Sequence, residues 1–306
     1  MVDVRALLTS HEARLTLFGV VCAVVLGSVV LWLYFVIPVK GTASATLVQP
    51  DRSQRAVSIT LSTMAWEGYR FRSAERSFIV AAVPSPTNDR VAYVTRTKDK
   101  VMRVSVADGD GDGGVEVTSG ETGIPSWSPD GGSIAVSRVP DGVTETGVPE
   151  NWSVVRALPR GDSLEVGRGY RPFPSPNQRT FALTSDGIAL LSYSDTEPLL
   201  VIASPVPVPL TTPFAVSLDG MRVAWAAPAD KSLQVFENVN GYFIPLLLKT
   251  DVHPDSLAFS PDGDYLLVSK NTEATSTLSI VRISDGRTRL VGEIGGLVKL
   301  HAWLYE

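Results

Sequence analysis

The chain has 306 residues with 27 basic and 32 acidic side chains, a formal net charge of −5 and a single cysteine. That mild, dispersed acidity excludes nucleic-acid binding, which needs a clustered basic face. One cysteine excludes a disulfide framework or a thiolate metal centre.

In chain order, residues 1–14 form a short tail. Leu15–Ile37 then runs 23 residues without a charge. At 1.5 Å per residue such a helix crosses a hydrocarbon core of about 30 Å. Trp32 and Tyr34 stand near one end, where amphipathic rings favour the interface, and Pro38 stops the helix. Residues 15–38 are therefore expected to be one transmembrane helix that anchors the chain, residues 39–45 a linker, and residues 46–306 the folded domain. Cys22, inside the apolar run, reads as a buried thiol. A cleaved signal peptide is the alternative, because Ala43-Ser44-Ala45 suits cleavage. Its apolar core would normally be only about 7–15 residues. Arg5 and Arg14 on one side of the run nearly balance Lys40, Arg52 and Arg55 on the other. The short tail with Arg14 abutting the helix favours a cytoplasmic start and a folded domain outside the cytoplasm.

After the linker, Ser44–Gln49, Arg55–Ser62 and Glu67–Ser73 read as strands. Five copies of one pattern then follow: PSPTNDRVAYV from Pro84, WSPDGGSIAVS from Trp127, PSPNQRTFALT from Pro174, VSLDGMRVAWA from Val216 and FSPDGDYLLVS from Phe259. Their serines, Ser85, Ser128, Ser175, Ser217 and Ser260, are spaced 43, 47, 42 and 43 residues apart. A steady period of about 40–45 residues with several strands per unit is the mark of propeller blades. In each copy a tight turn follows the serine and an alternating strand follows the turn. Gly131, Gly220 and Gly263 would supply the left-handed turn position, with Asn88 and Asn177 as substitutes. Seven residues beyond the serine stand Ala92, Ala135, Ala182, Ala224 and, as the exception, Leu267. Small residues there would suit inner strands converging on an axis.

The fold expected is all-β: a propeller of six four-stranded blades. Whole units occupy about 78–119, 120–168, 169–204, 205–250 and 251–296. Leu297–Glu306 reads as a lone first strand, with Trp303 in the place of Trp127, and residues 44–73 as strands without a first. Pairing the two ends would close the ring and hide both edges. Five blades with an N-terminal cap is the alternative.

These repeats, above all Trp127–Val136 and Phe259–Val268, resemble those of the TolB-like β-propellers, over roughly residues 78–296. The resemblance implies a rigid platform in the bacterial cell envelope that offers loop surfaces and a channel mouth to a protein partner. The residues add little chemistry to that. Asp108, Asp110 and Asp112 alternate with glycines like the opening of a calcium loop, but the closing position holds Ser119 in place of Glu. A lengthened hairpin between two outer strands is the preferred reading and a weak calcium site the alternative. His11, His253 and His301 form no pair at ligand spacing, and His301 is expected to pack in the closing blade. Asp130, Asp219 and Asp262 are turn residues by their context. No catalytic residue and no cofactor are assigned, and no nucleophile elbow occurs. The expectation is a membrane-anchored interaction platform. A propeller enzyme or a small-ligand or carbohydrate binder using the axial pocket is the alternative.

Overall fold

A computed structural model describes residues 39–69, 78–87, 89–99, 101–109, 113–192, 198–248 and 250–305, with Val25 and Ile37 singly. The rest of the apolar run Leu15–Ile37 lies outside the described residues, as do Asn88, Asp110 and Asp112. Among the described residues no helix is long and apolar enough to cross a membrane.

The serine turn generates the architecture. In the second copy the Ser128 hydroxyl donates to Asp130 at 2.6 Å and accepts from the Ser133 backbone N–H at 2.9 Å. The same staple recurs at Ser217 (2.5 Å to Asp219, 2.9 Å from Arg222 N–H) and at Ser260 (2.6 Å to Asp262, 3.0 Å from Tyr265 N–H). The Ser128 hydroxyl also holds the Asp130 carboxyl below the usual carboxylate range. Asp130, Asp219 and Asp262 are thus turn-builders. Gly131, Gly220 and Gly263 take φ of +67°, +70° and +75°, as expected.

The third copy departs from this. The Ser175 N–H bonds the Arg179 carbonyl, four residues on, where the Ser128 turn closes over five. In the shorter turn the left-handed residue is Gln178, at φ +60°, and not Asn177.

Each staple reverses the chain between the first and second strands of a blade, and six four-stranded antiparallel sheets result. In the second blade the strands are Phe78–Pro84, Arg90–Arg96, Met102–Asp108 and Val115–Gly120. The third to sixth blades open with Ser126–Trp127, Tyr170–Pro174, Phe214–Val216 and Ser256–Phe259. The first, closing blade joins the last strand, Leu297–Leu304, to Thr42–Val48, Gln54–Thr60 and Ala65–Gly68. Thr42 pairs with Leu304 at one end of that seam and Val48 with Leu297 at the other. Six blades closed by the last strand, as expected, is therefore the arrangement. The first strand starts at Thr42, inside the stretch read from sequence as linker.

The first strands stand innermost, and those of the third and fourth, fifth and sixth, sixth and closing, and closing and second blades touch one another. Ala92, Ala135, Ala182 and Ala224 all lie on second strands, one strand out from the axis. They are small because the second strands are sandwiched between blades. Ala182 of the fourth blade, for example, packs on Val154 and Val166 of the third.

Hydrogen bonds tie the blades near the axis. The Trp127 indole N–H donates to the Val83 carbonyl at 2.7 Å, and Thr46 donates to the Val80 carbonyl at 2.7 Å. The Val298 carbonyl accepts from both Ser256 (3.3 Å) and Ser269 (3.1 Å), so the closing blade is held on each flank.

Candidate functional site

Where the first strands begin, the blades leave an axial cavity of about 580 Å³. Five of the six blades contribute to its wall, through residues that do not repeat. Arg171, Lys231 and Lys299 bring positive charge, and Asp255 is the one carboxylate among the lining residues. Asp255 is already engaged, accepting from the Asn271 N–H at 2.7 Å with Lys270 at 3.9 Å. Proline and aromatic groups make up much of the remaining wall, among them Phe173, Pro213 and Pro254.

Arg171 holds its place at a conformational cost. The pairing of Tyr170–Pro174 with Thr180–Thr184 carries a bulge between Tyr170 and Phe173, and Arg171 sits in it at φ +52°. Left-handed backbone is unusual for a residue of this size. Pro172 adds to the cost, because the residue before proline is steered toward extended backbone. The Arg171 N–H reaches the Ser137 hydroxyl of the third blade at 3.4 Å. Its neighbour Tyr170 is pinned edge-on against Trp152, ring centroids 4.8 Å apart. Burial pulls the Arg171 guanidinium below its ordinary range. Among the described residues it has no ion-pair partner. Lys231 also stands in left-handed backbone, at φ +60°.

His301 lies on the same wall, and its Nε2 shares a 2.7 Å hydrogen bond with the Thr46 hydroxyl. Sequence reasoning places it in the closing blade, and it is there, with its ring on the cavity. Burial first, then the facing Arg171 and Lys299, push its pKa down to about 3. The unfolded value is about 6.5. Below pH 6.5 the unfolded chain therefore takes up a proton that the folded ring refuses. The contribution is complete above pH 6.5 and is lost as pH falls toward 3, by up to about 1.4 kcal/mol per pH unit. His301→Gln should melt at a lower temperature relative to wild type at pH 7 than at pH 4, because the acid penalty is gone. Parallel melting curves for the two proteins from pH 7 to pH 4 would refute this.

The other sequence candidates lie elsewhere. Asp108 ends a strand beside the outer hairpin of the second blade, where the sequence puts it, while Asp110 and Asp112 lie outside the described residues. His253 is 3.4 Å from Asp251, and His11 is outside the described residues. Among the described residues no three His, Cys, Asp or Glu side chains gather as a metal site. Arg171, Lys231 and Lys299 are the residues that sequence reasoning missed. The available signal was Gly167-Arg168-Gly169, two glycines flanking the entry to a first strand.

No protein-family model matches the sequence, and no curated protein matches it. Solved structures do resemble the fold. TolB from Acinetobacter baumannii superposes with a TM-score of 0.64 at 17% identity, over 87% of this chain and 67% of that one. A chain of the nidogen/laminin complex superposes with a TM-score of 0.56 at 9% identity, over 86% of this chain and 98% of that one. The structural neighbours thus include TolB, and the shared feature is the propeller.

Proposed function

We propose that this chain is a TolB-like propeller held on the cell membrane through residues 15–38, with the ring outside the cytoplasm. There it serves as a docking platform for a protein partner in the bacterial envelope. The observation that carries this reading is an apolar outer edge on the fifth blade. Its outermost strand, Tyr242–Leu246, is paired on one side only. Tyr242 is 76% exposed and Leu247 97%, with Ile244 also exposed. Phe243 turns the other way and packs edge-on against Phe181 of the fourth blade, centroids 5.7 Å apart. Alternation along the strand thus leaves Tyr242 and Ile244 outward. The adjacent fourth blade adds exposed Leu199 and Leu200 on its own outermost strand. Edge strands are normally guarded by charge. Concentrated exposed apolar residues mark interaction surfaces, and a partner strand can extend such an edge. That TolB and a chain of the nidogen/laminin complex share the fold is consistent with this use.

The test is capture of envelope proteins by the full chain and by a Tyr242→Lys, Ile244→Lys, Leu247→Lys variant. Exposed substitutions of this kind cost little stability, about 0.5 kcal/mol each at most. The variant should melt like wild type and lose the partner that wild type captures. Equal capture by both proteins would remove the fifth-blade edge from the interface.

A further inference from the structure

We infer that the axial cavity binds an organic carboxylate with an apolar body, and that the Arg171 side chain is its anchor. The reasoning starts from the costs gathered on one residue. Arg171 occupies left-handed backbone in a bulge, ahead of a proline. It is partly buried, at a desolvation cost to its charge, and faces no carboxylate within ion-pair distance among the described residues. Each of these features is unfavourable to the folded ring. Strain of this kind persists at ligand clamps, where the surrounding structure enforces it. Bulges likewise re-aim side chains beside functional sites.

The cavity supplies what such a clamp needs. Arg171, Lys231 and Lys299 face the space together, and the only carboxylate in the wall, Asp255, is held by Asn271 and Lys270. The chain as a whole carries −5, so this wall reverses the sign of the molecule. A guanidinium offers a planar fork that matches a carboxylate with two parallel hydrogen bonds. The modest excess of positive charge suits a singly charged group better than a phosphate dianion. Phe173, Pro213 and Pro254 give the rest of the wall an apolar character, and a volume of about 580 Å³ accommodates a small organic acid or the last few residues of a peptide. The shared chemistry is a carboxylate on an apolar body, presented either by a free acid or by a chain end.

The experiment titrates the full chain in detergent with three probes: 4-methylpentanoate, acetyl-Leu-Leu as its free acid, and acetyl-Leu-Leu amide. Calorimetry should show binding of at least one acid and none of the amide. Binding of the peptide acid but not 4-methylpentanoate assigns a chain end, and the converse assigns a small acid. Arg171→Gly accepts the left-handed backbone and removes the charge. It should weaken the acid at least tenfold while raising the melting temperature by about 2–4 °C. Arg171→Lys should recover part of the affinity. Arg103→Gln, which removes an exposed pair with Glu116 on the outer strands, should bind like wild type. Equal binding of acid and amide, no binding of either acid, or an Arg171→Gly protein that melts lower and keeps its affinity would each overturn the inference. These outcomes are independent of the capture experiment on the fifth-blade edge. An empty cavity leaves that edge untouched, and a silent edge leaves the cavity untouched.

Discussion

A chain ending at Val298 should fail to form a stable monomeric ring. Removing Lys299–Glu306 takes away most of the strand that pairs with Thr42–Val48. It also removes Leu300, fully buried, and Trp303, 3% exposed. Burial of each such side chain is worth about 1.5–3 kcal/mol. The loss extends beyond packing. The Leu300 N–H bond to Ser256 (2.9 Å), the Trp303 indole bond to the Lys40 carbonyl (3.0 Å) and the Tyr305 hydroxyl bond to Asp262 (2.9 Å) all disappear. The third of these ties the end of the closing strand to the serine staple of the sixth blade, so the seam and its neighbour loosen together. A domain is stable by only about 5–15 kcal/mol, and these losses are of that size. The exposed edge of Thr42–Val48 would then be open to pairing with other chains. The expected result is insoluble or concentration-dependent oligomeric protein. Trp303→Ala alone should cost about 3–5 kcal/mol. A shortened chain that elutes as a monomer and melts like wild type would show that the seam does not hold the ring.

The fold was legible in the sequence because its generator is local. The serine staple spans only six residues, Ser128 to Ser133 or Ser260 to Tyr265, and its bonds lie within one turn. A local motif repeated at a constant interval is visible in a string of letters, and it set the blade boundaries and the pairing of the two ends. Where the staple varies, reading became less exact. Asn177 reads as the left-handed residue, yet that conformation keeps its place three residues after the serine, at Gln178 as at Gly131, and the lost residue falls after it. The alanines were recognised as small for a packing reason, but which of the inner strands carries them was not legible. Alternation along a strand does not reveal its distance from the axis.

The axial cavity was not legible, for the opposite reason. Its wall is assembled from Tyr170, Arg171, Lys231, Asp255, Lys299 and His301, which are far apart in sequence and stand where the repeats differ. No spacing rule joins Arg171 to Lys299. Only ring closure brings them to one space. His301 was noticed and placed in its blade, but its electrostatic environment comes from burial and from Arg171 and Lys299, and only one of those cations is near it in the chain.

Gly41→Ala should destabilise the ring by about 3–5 kcal/mol, the scale of a severe buried lesion, and lower the melting temperature by about 10 °C. Gly41 stands at φ +84°, immediately before Thr42–Val48, the second strand of the closing blade. A methyl group there would lie 2.0 Å from the Leu304 carbonyl oxygen and 3.2 Å from the Tyr305 ring. The obstruction is backbone, so no rotamer relieves it. To fit, the end of the closing strand must move away. That movement strains the bond from Trp303 to the Lys40 carbonyl and the placement of the Lys40 ammonium 4.2 Å over the Tyr305 ring. Gly142 provides the matching control. It has φ +82°, almost the same backbone, with nothing within 4 Å of the added methyl. Gly142→Ala therefore incurs only the conformational cost of left-handed backbone, about 1–2 kcal/mol, and should melt about 2–4 °C lower. The difference between the two variants measures the clash at the seam separately from backbone strain. Equal melting temperatures would mean that the closing strand yields freely at Leu304, and the seam would then contribute far less to the ring than its buried Leu300 and Trp303 imply.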